Sequence, residues 1–484
     1  MRQPPTLATL LEDYESAPQR LEPALAVAEA LAARSEVDNA VTRLSEACSR
    51  FPRSALPWSL RGDILAEAGR APDAISCYVR ALELDRTNAH VCSRIGNLCQ
   101  NEGRSEEAFQ YFLKLLRLRP SDPDPYRGLA RTVAESTPPT TLVDRVRALC
   151  QPRCDEGKLQ AGVGWALFEL GRYTEARDCF RKRLEEDPQD WPVLLNLARS
   201  EDCAGNAASA KALFERGLSV PEPFPDLVRS FAEHLIRTGS IEDAKTLYRS
   251  FVRRMPGTTS HSATAKWRGE PAGGKTFLIK NDAGLGDTIQ FVRFAALLKE
   301  LGALTIVECQ PALVELISTF MGADLVIAPY SPHPPADYSV ESQFMGLMLD
   351  WDWESLRRYM PYLKAPSPHA SGNGASERQS GNLRVGISWH GNQLWRCDPN
   401  RYRSLPLADL APLSAIPAVD LFSLQFGPGA EQVATAPFRV RQLDAGGFSV
   451  TAASVQSLDL VVSIDTAVAH LACALGKPCF IMLP

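Results

Sequence analysis

Gly96-Asn-Leu-Cys-Gln-Asn-Glu-Gly103-Arg-Ser-Glu-Glu-Ala108-Phe-Gln-Tyr-Phe112 sets out, in one span, the residues that recur through the first half of the chain. A small residue is followed seven positions later by glycine, then five later by alanine and four later by an aromatic. The glycine returns as Gly69, Gly103, Gly171, Gly205 and Gly239, always 34 residues or a multiple of 34 apart. Ala74, Ala108, Ala176, Ala210 and Ala244 keep step, as do Tyr78, Phe112, Phe180, Phe214 and Tyr248. Gly62, Gly96, Gly164, Ala198 and Ala232 hold the small position, and Pro120, Pro188 and Pro256 close their units. Physics accounts for these types. Small residues let two helices approach closely, the aromatic fills the space against the next unit, and glycine breaks the chain between helices.

This pattern resembles the tetratricopeptide repeat, whose period is about 34 residues. Counting back gives a first unit with Ala28, Ala40, Leu44, Ala47 and Pro52. Tyr126, Ala130, Leu142 and Val146 keep the register through 123–156 without the glycine, where Pro138-Pro139 predicts a distorted turn. About seven repeats are expected over residues 21–258, after a lead-in over 1–20. The resemblance implies an all-α solenoid with a concave groove for a protein partner, or an oligomerising arm.

The 484 residues are 45% hydrophobic and 23% charged, with a net charge of -5, which gives no electrostatic reason to expect nucleic acid or an anionic membrane surface. No apolar run approaches the ~20 residues of a membrane span, and the first residues lack the apolar core of a leader. A cytoplasmic chain is expected. The twelve cysteines fit that expectation. Cys77, Cys92, Cys99, Cys179 and Cys203 fall on apolar helix faces, and Cys309 and Cys479 fall in predicted strands. Cys150 and Cys154 lack a second pair to complete a zinc site, so no metal is expected.

After the repeats the pattern changes from helical to alternating strand and helix, which predicts parallel sheets. Residues 259–274 read as a linker, 275–366 as one Rossmann-like lobe, 367–383 as a flexible linker and 384–484 as a second lobe. Strands are expected at 275–280, 304–308 and 325–327, and then at 384–388, 420–424, 438–443, 459–464 and 479–483. One helix is expected over 289–301. The fold class is thus multidomain: an all-α solenoid joined to a two-lobed α/β half.

The last stretch carries the chemistry. Leu460-Val-Val-Ser-Ile-Asp465-Thr466-Ala467-Val-Ala-His470-Leu-Ala-Cys-Ala-Leu-Gly476-Lys-Pro478 reads as a buried strand, a polar corner, a small-residue helix and a turn. Asp465 or Thr466 fits a helix cap, leaving backbone N–H groups to meet an anion, and His470 lies one turn further on. The string resembles the C-terminal signature of heptosyltransferase-like glycosyltransferases of the GT-B architecture. Asn281-Asp-Ala-Gly284-Leu-Gly286-Asp287-Thr-Ile-Gln290 resembles the same family's Gly-rich loop, and Trp389-His390-Gly391-Asn392 with Asp398, Arg401 and Arg403 its phosphate loop. Leu424-Gln425-Phe426-Gly427-Pro428-Gly429 is similar to the turn beside the nucleotide base, except that Phe426 replaces the usual basic residue.

The resemblance implies transfer of a sugar from a nucleotide-diphosphate sugar to an acceptor hydroxyl on a protein or glycan, inverting and without metal or cofactor. Asp287 would be the base, though it also fits a helix cap. Gly284, Gly286 and Gln290 would shape the loop. Asp465, Thr466, Ala467, His470, Trp389, Gly391, Asn392, Gln425 and Arg401 or Arg403 would surround the donor. The second lobe is expected to be incomplete at 484. Asp350-Trp351-Asp352 matches the metal signature of a different glycosyltransferase fold but is read as a turn. The alternative is an interaction scaffold whose transferase-like half is inactive.

Overall fold

The computed structural model describes residues 6–34, 36–134, 139–150, 154–220, 224–254, 264–281, 284–329, 331–366, 381–391, 404–443 and 446–483. The chain divides into two compact units, Leu7–Tyr248 and the segment from Arg249 onward. Among the described residues no helix is long and apolar enough to cross a membrane.

The first unit is built of antiparallel helix pairs, as in Leu56–Glu67 with Ala71–Leu84 and Ala89–Asn101 with Ser105–Leu118. All five phased glycines take left-handed backbone, with φ between +71° and +86°. There they end the first helix of each pair, and the next amide bonds back to close it, as from Arg104 N to Cys99 O at 2.7 Å. The phased alanines from Ala74 to Ala244 are fully buried.

The aromatic position explains the small one. A Cβ on Gly62 would lie 2.6 Å from the Tyr78 ring. Phe112 is wedged twice: a Cβ would meet its ring at 2.8 Å from Gly96 in its own repeat and at 2.3 Å from Gly128 in the next. The unit lacking the phased glycine still forms two helices, Pro123–Val133 and Pro139–Cys150, because Tyr126, Ala130, Leu142 and Val146 are all fully buried. The lead-in holds a further helix, Leu7–Ser16, which buries Leu10 and Tyr14 against Val27, Ala28 and Leu44.

The second unit contains two parallel sheets. Strands β1 (Ala265–Lys266), β2 (Thr276–Lys280), β3 (Leu304–Glu308), β4 (Leu325–Ile327) and β5 (Tyr338–Glu341) lie in the order β1-β5-β2-β3-β4. Strands β6 (Leu383–Ser388), β7 (Val419–Ser423), β8 (Arg441–Gln442), β9 (Leu460–Ile464) and β10 (Cys479–Met482) lie in the order β10-β9-β6-β7-β8. Phe277, Leu278 and Ile279 are buried in succession, as expected of a strand covered on both faces.

Three expectations are corrected. The stretch assigned to a linker contributes β1, because Ala265 and Lys266 pair with Tyr338 and Ser339 of β5, itself missed in the sequence. Strand β8 is two residues rather than six, since β7 offers pairing only at Phe422 and Ser423. The single helix over 289–301 is three pieces, Leu285–Phe291, a 3₁₀ turn Val292–Phe294 and Ala295–Glu300. At this junction Arg293 Nε donates to Gln290 O at 2.6 Å.

The wedge makes a prediction. Gly128→Ala should destabilise the solenoid by about 1–3 kcal/mol through overpacking against Phe112. Urea unfolding followed by helical circular dichroism checks it, and an unchanged midpoint would refute the packing account.

Candidate functional site

The central strands are β2, flanked by β3 and β5, and β6, flanked by β7 and β9. The crevice outside the carboxyl ends of such strands is where open parallel sheets take ligands. The segment after β2 holds Gly284, Gly286 and Asp287. Trp389, His390 and Gly391 follow β6, and Asp465 and Thr466 follow β9. Three separate sequence motifs thus emerge at the same kind of place in the two sheets.

Two helix starts meet there. A Cβ on Gly286, in the first turn of the Leu285–Phe291 helix, would lie 2.9 Å from His470 Cδ2 and 3.3 Å from Ala467 Cα. Glycine is what allows this approach to the Ala467–Ala474 helix. Asp465 Oδ1 stands 3.5 Å from His470 Nε2, and both side chains are part-exposed. Thr466 occupies the N-cap position but makes no side-chain cap. Its Oγ1 lies 3.1 Å from Ser463 Oγ instead. Asp287 is the third residue of its helix and its Oδ2 accepts from Gly284 N at 3.3 Å. The carboxylate therefore helps cap the helix while remaining half-buried at the crevice. Gln290 gives its carbonyl to Arg293.

Gln425 and Trp389 are placed differently from the expectation of donor contact. Gln425 is buried, and its Oε1 accepts from Trp389 N at 3.1 Å, His390 N at 2.9 Å and Ser388 Oγ at 3.2 Å. Its Nε2 donates to His390 O and Pro428 O, both at 3.0 Å. The amide fastens two loops to one another and has no capacity left for a ligand. Trp389 is fully buried among Ile387, Leu407 and Leu421. Gly391 N is held by Ser404 Oγ at 3.0 Å. Asn392, Arg401 and Arg403 lie outside the described residues.

Sequence reasoning overlooked Tyr362. It is buried, donates to Ile289 O at 2.9 Å, and has the Arg293 guanidinium 5.0 Å from its ring centre. Its own amide reaches Ala474 O at 3.1 Å, at the far end of the His470 helix. No local pattern marks it, because its partners come from two distant segments, around 289–293 and at Ala474. Asp352 caps the short Trp353–Arg357 helix, its Oδ1 accepting from Ser355 N at 2.7 Å. Among the described residues no group of three His, Cys, Asp or Glu side chains is arranged to hold a metal.

The first unit offers its own candidate site. The first helices of three successive pairs, Pro123–Val133, Glu156–Glu169 and Trp191–Cys203, line a pocket of about 380 Å³ that includes Arg127, Lys158, Trp165, Asp190 and Asn196. Trp165 stacks on Phe168 at 5.7 Å, and its buried indole N–H has no protein partner among the described residues. Arg127 is tethered to Asp124 at 2.9 Å. The same helix faces are linked from repeat to repeat by polar pairs, such as Arg94 Nε to Asp63 Oδ1 at 2.8 Å and Arg199 Nη2 to Ser230 Oγ at 2.8 Å.

Tetratricopeptide-repeat profiles match residues 12–89, 89–122 and 162–228. Those residues are tetratricopeptide repeats. Protein FlbA of Caulobacter vibrioides is 21% identical over 482 residues, covering 89% of this chain and 77% of that protein. The BBSome complex member BBS4 of Bos taurus is 21% identical over 201 residues, 42% of this chain and 39% of that one. A solved tetratricopeptide repeat protein from Parabacteroides merdae shares 17% identity over 49% of this chain and 94% of its own, with a TM-score of 0.29. The profiles stop short of the two sheets, whereas the pocket around Trp165 falls partly inside the tetratricopeptide match at 162–228.

Gln425→Ala should strip partners from two buried amides and two carbonyls of the loops it joins, at roughly 1–3 kcal/mol for each group left unsatisfied. Hydrogen–deuterium exchange should then rise in peptides spanning 385–391 and stay unchanged over 276–281. Equal protection in wild type and variant would remove Gln425 from this role.

Proposed function

We propose that the chain is an interaction scaffold whose tetratricopeptide solenoid docks an extended segment of a partner protein in its groove. The observation that carries this reading is the pocket around Trp165, where an aromatic side chain, Arg127, Lys158 and Asn196 line one concavity. An extended segment presents backbone carbonyls and alternating side chains, which suit such a mixture. Repetition of polar links along the same helix faces supports a binding strip rather than a single point. That one relative is named as a member of a complex agrees with this reading.

Selection of a displayed random-peptide library on the full chain tests it. Enriched peptides should lose about thirty-fold in affinity on Trp165→Ala, the ~2 kcal/mol of an aromatic hot spot. They should bind Asp465→Ala as they bind wild type. Equal binding to the Trp165→Ala chain, or failure to enrich any sequence, would oppose a groove of this kind.

A second reading rests on a specific contact, the seating of Gly286 against Ala467 and His470. That approach gathers Asp287, Asp465, Thr466 and His470 around two helix starts, an arrangement suited to a diphosphate. Under this reading the second unit binds a nucleotide-diphosphate sugar and transfers the sugar to an acceptor hydroxyl, with Asp287 as base. Thermal unfolding against a panel of nucleoside diphosphates tests it. A ligand at ~100 times its dissociation constant should stabilise the fold by about 2.7 kcal/mol, and Asp465→Ala should abolish the shift. If no nucleotide moves the transition, the scaffold reading stands alone.

A further inference from the structure

The second unit holds a pocket of about 500 Å³ that shares no residue with the Asp287 and His470 crevice or with the pocket around Trp165. Its volume falls within the about 300–1,000 Å³ of small-molecule sites. Among its lining residues Leu297, Met348, Leu349 and Ala272 are buried and Leu301 is 55% exposed, so apolar surface runs from the interior out to solvent. The loop that forms one wall is held by its own hydrogen bonds. Trp267 Nε1 donates to Glu270 O at 2.9 Å, and Gly274 N donates to Gly302 O at 2.9 Å. A wall fixed in this way adds little ordering cost when a ligand enters.

Five charged side chains line the pocket, and three of them are committed. Arg249 Nη2 pairs with Asp350 Oδ1 at 2.8 Å, and Arg249 Nε donates to Leu347 O at 3.0 Å. Glu270 Oε2 accepts from Arg268 N at 2.7 Å. Arg253 and Glu300 remain. Both are exposed, and neither makes an ion pair among the described residues. The neutral Tyr359 hydroxyl beside Glu300 leaves its charge uncancelled. Gly269, at φ +97°, would carry a Cβ 3.7 Å from Met348 Cε and 3.9 Å from Arg253 Nη2. The guanidinium and the buried methionine thus meet the loop at the same residue, while Glu300 directly precedes Leu301 in the chain. One uncommitted charge of each sign lies beside apolar surface.

We propose that this pocket binds a free α-amino acid with a large apolar side chain. The Arg253 guanidinium takes the carboxylate, for which its planar fork is suited, and the Glu300 carboxylate accepts from the ammonium. The ligand's side chain lies against Leu297, Leu301 and Met348. A simple carboxylic acid would leave Glu300 without a partner, and a simple amine would leave Arg253 without one. Either end of a peptide carries only one of the two charges, whereas the free amino acid carries both on adjoining atoms.

Saturation-transfer NMR on the full chain tests this with L-phenylalanine, 3-phenylpropionate and 2-phenylethylamine, which share a ring and carry both charges, the negative one or the positive one. Phenylalanine should saturate, and should bind about tenfold more tightly than either analogue. Arg253→Ala should cost phenylalanine roughly tenfold in affinity and leave phenylethylamine unchanged, and Glu300→Gln should cost it as much and leave phenylpropionate unchanged. Both positions are exposed, so each variant should keep the wild-type thermal midpoint, which separates loss of the site from loss of the fold. Phenylpropionate or phenylethylamine binding as tightly as phenylalanine would overturn the proposal. So would the lack of saturable phenylalanine binding to the wild-type chain, or wild-type affinity for it in either variant.

Discussion

The contact on which the solenoid depends is an aromatic ring seated where a neighbour has no side chain. Phe112 lies between Gly96 and Gly128, and Tyr78 against Gly62, so the spacing of successive helices is set by a ring thickness. A close-packed interior leaves little slack for an added methyl group. The same device recurs in the second unit, where Gly286 admits His470 and Ala467 to within contact of a helix start. In both units the absence of a Cβ fixes an approach between elements, and the polar groups around it are placed as a consequence.

Placement then separates polar residues that look alike in sequence. Gln425 and Asp465 both follow a buried strand and both fall in motif-like surroundings. Gln425 is saturated by the loop after β6, whereas Asp465 lies part-exposed beside His470. Asp287 stands between these cases, contributing a cap to Gly284 while remaining at the crevice. The distinction is one of hydrogen-bond capacity: a buried amide that already satisfies three donors and two carbonyls has nothing to offer a ligand.

The two units support different kinds of function by different means. The solenoid presents one surface repeated at intervals, which suits a long, irregular partner. The second unit concentrates its motifs at the carboxyl ends of parallel strands, which suits a compact ligand.

The sequence by itself determined the repeat. Its 34-residue phase places Gly69 to Gly239 at helix ends and Ala74 to Ala244 in the core, because helix pairs repeat their contacts with near neighbours. It also located the central strands, since continuous apolar runs such as Leu460–Ile464 are local signals. Only the tertiary structure decided which motif residues face a crevice, that Ala265 and Lys266 form an edge strand, and that Arg293 packs over the Tyr362 ring. Gln425 meets partners 35 to 37 residues away and Tyr362 one 73 away. Periodicity reports what a residue does to its own element; the partner that saturates a hydrogen bond is chosen by how distant elements come together.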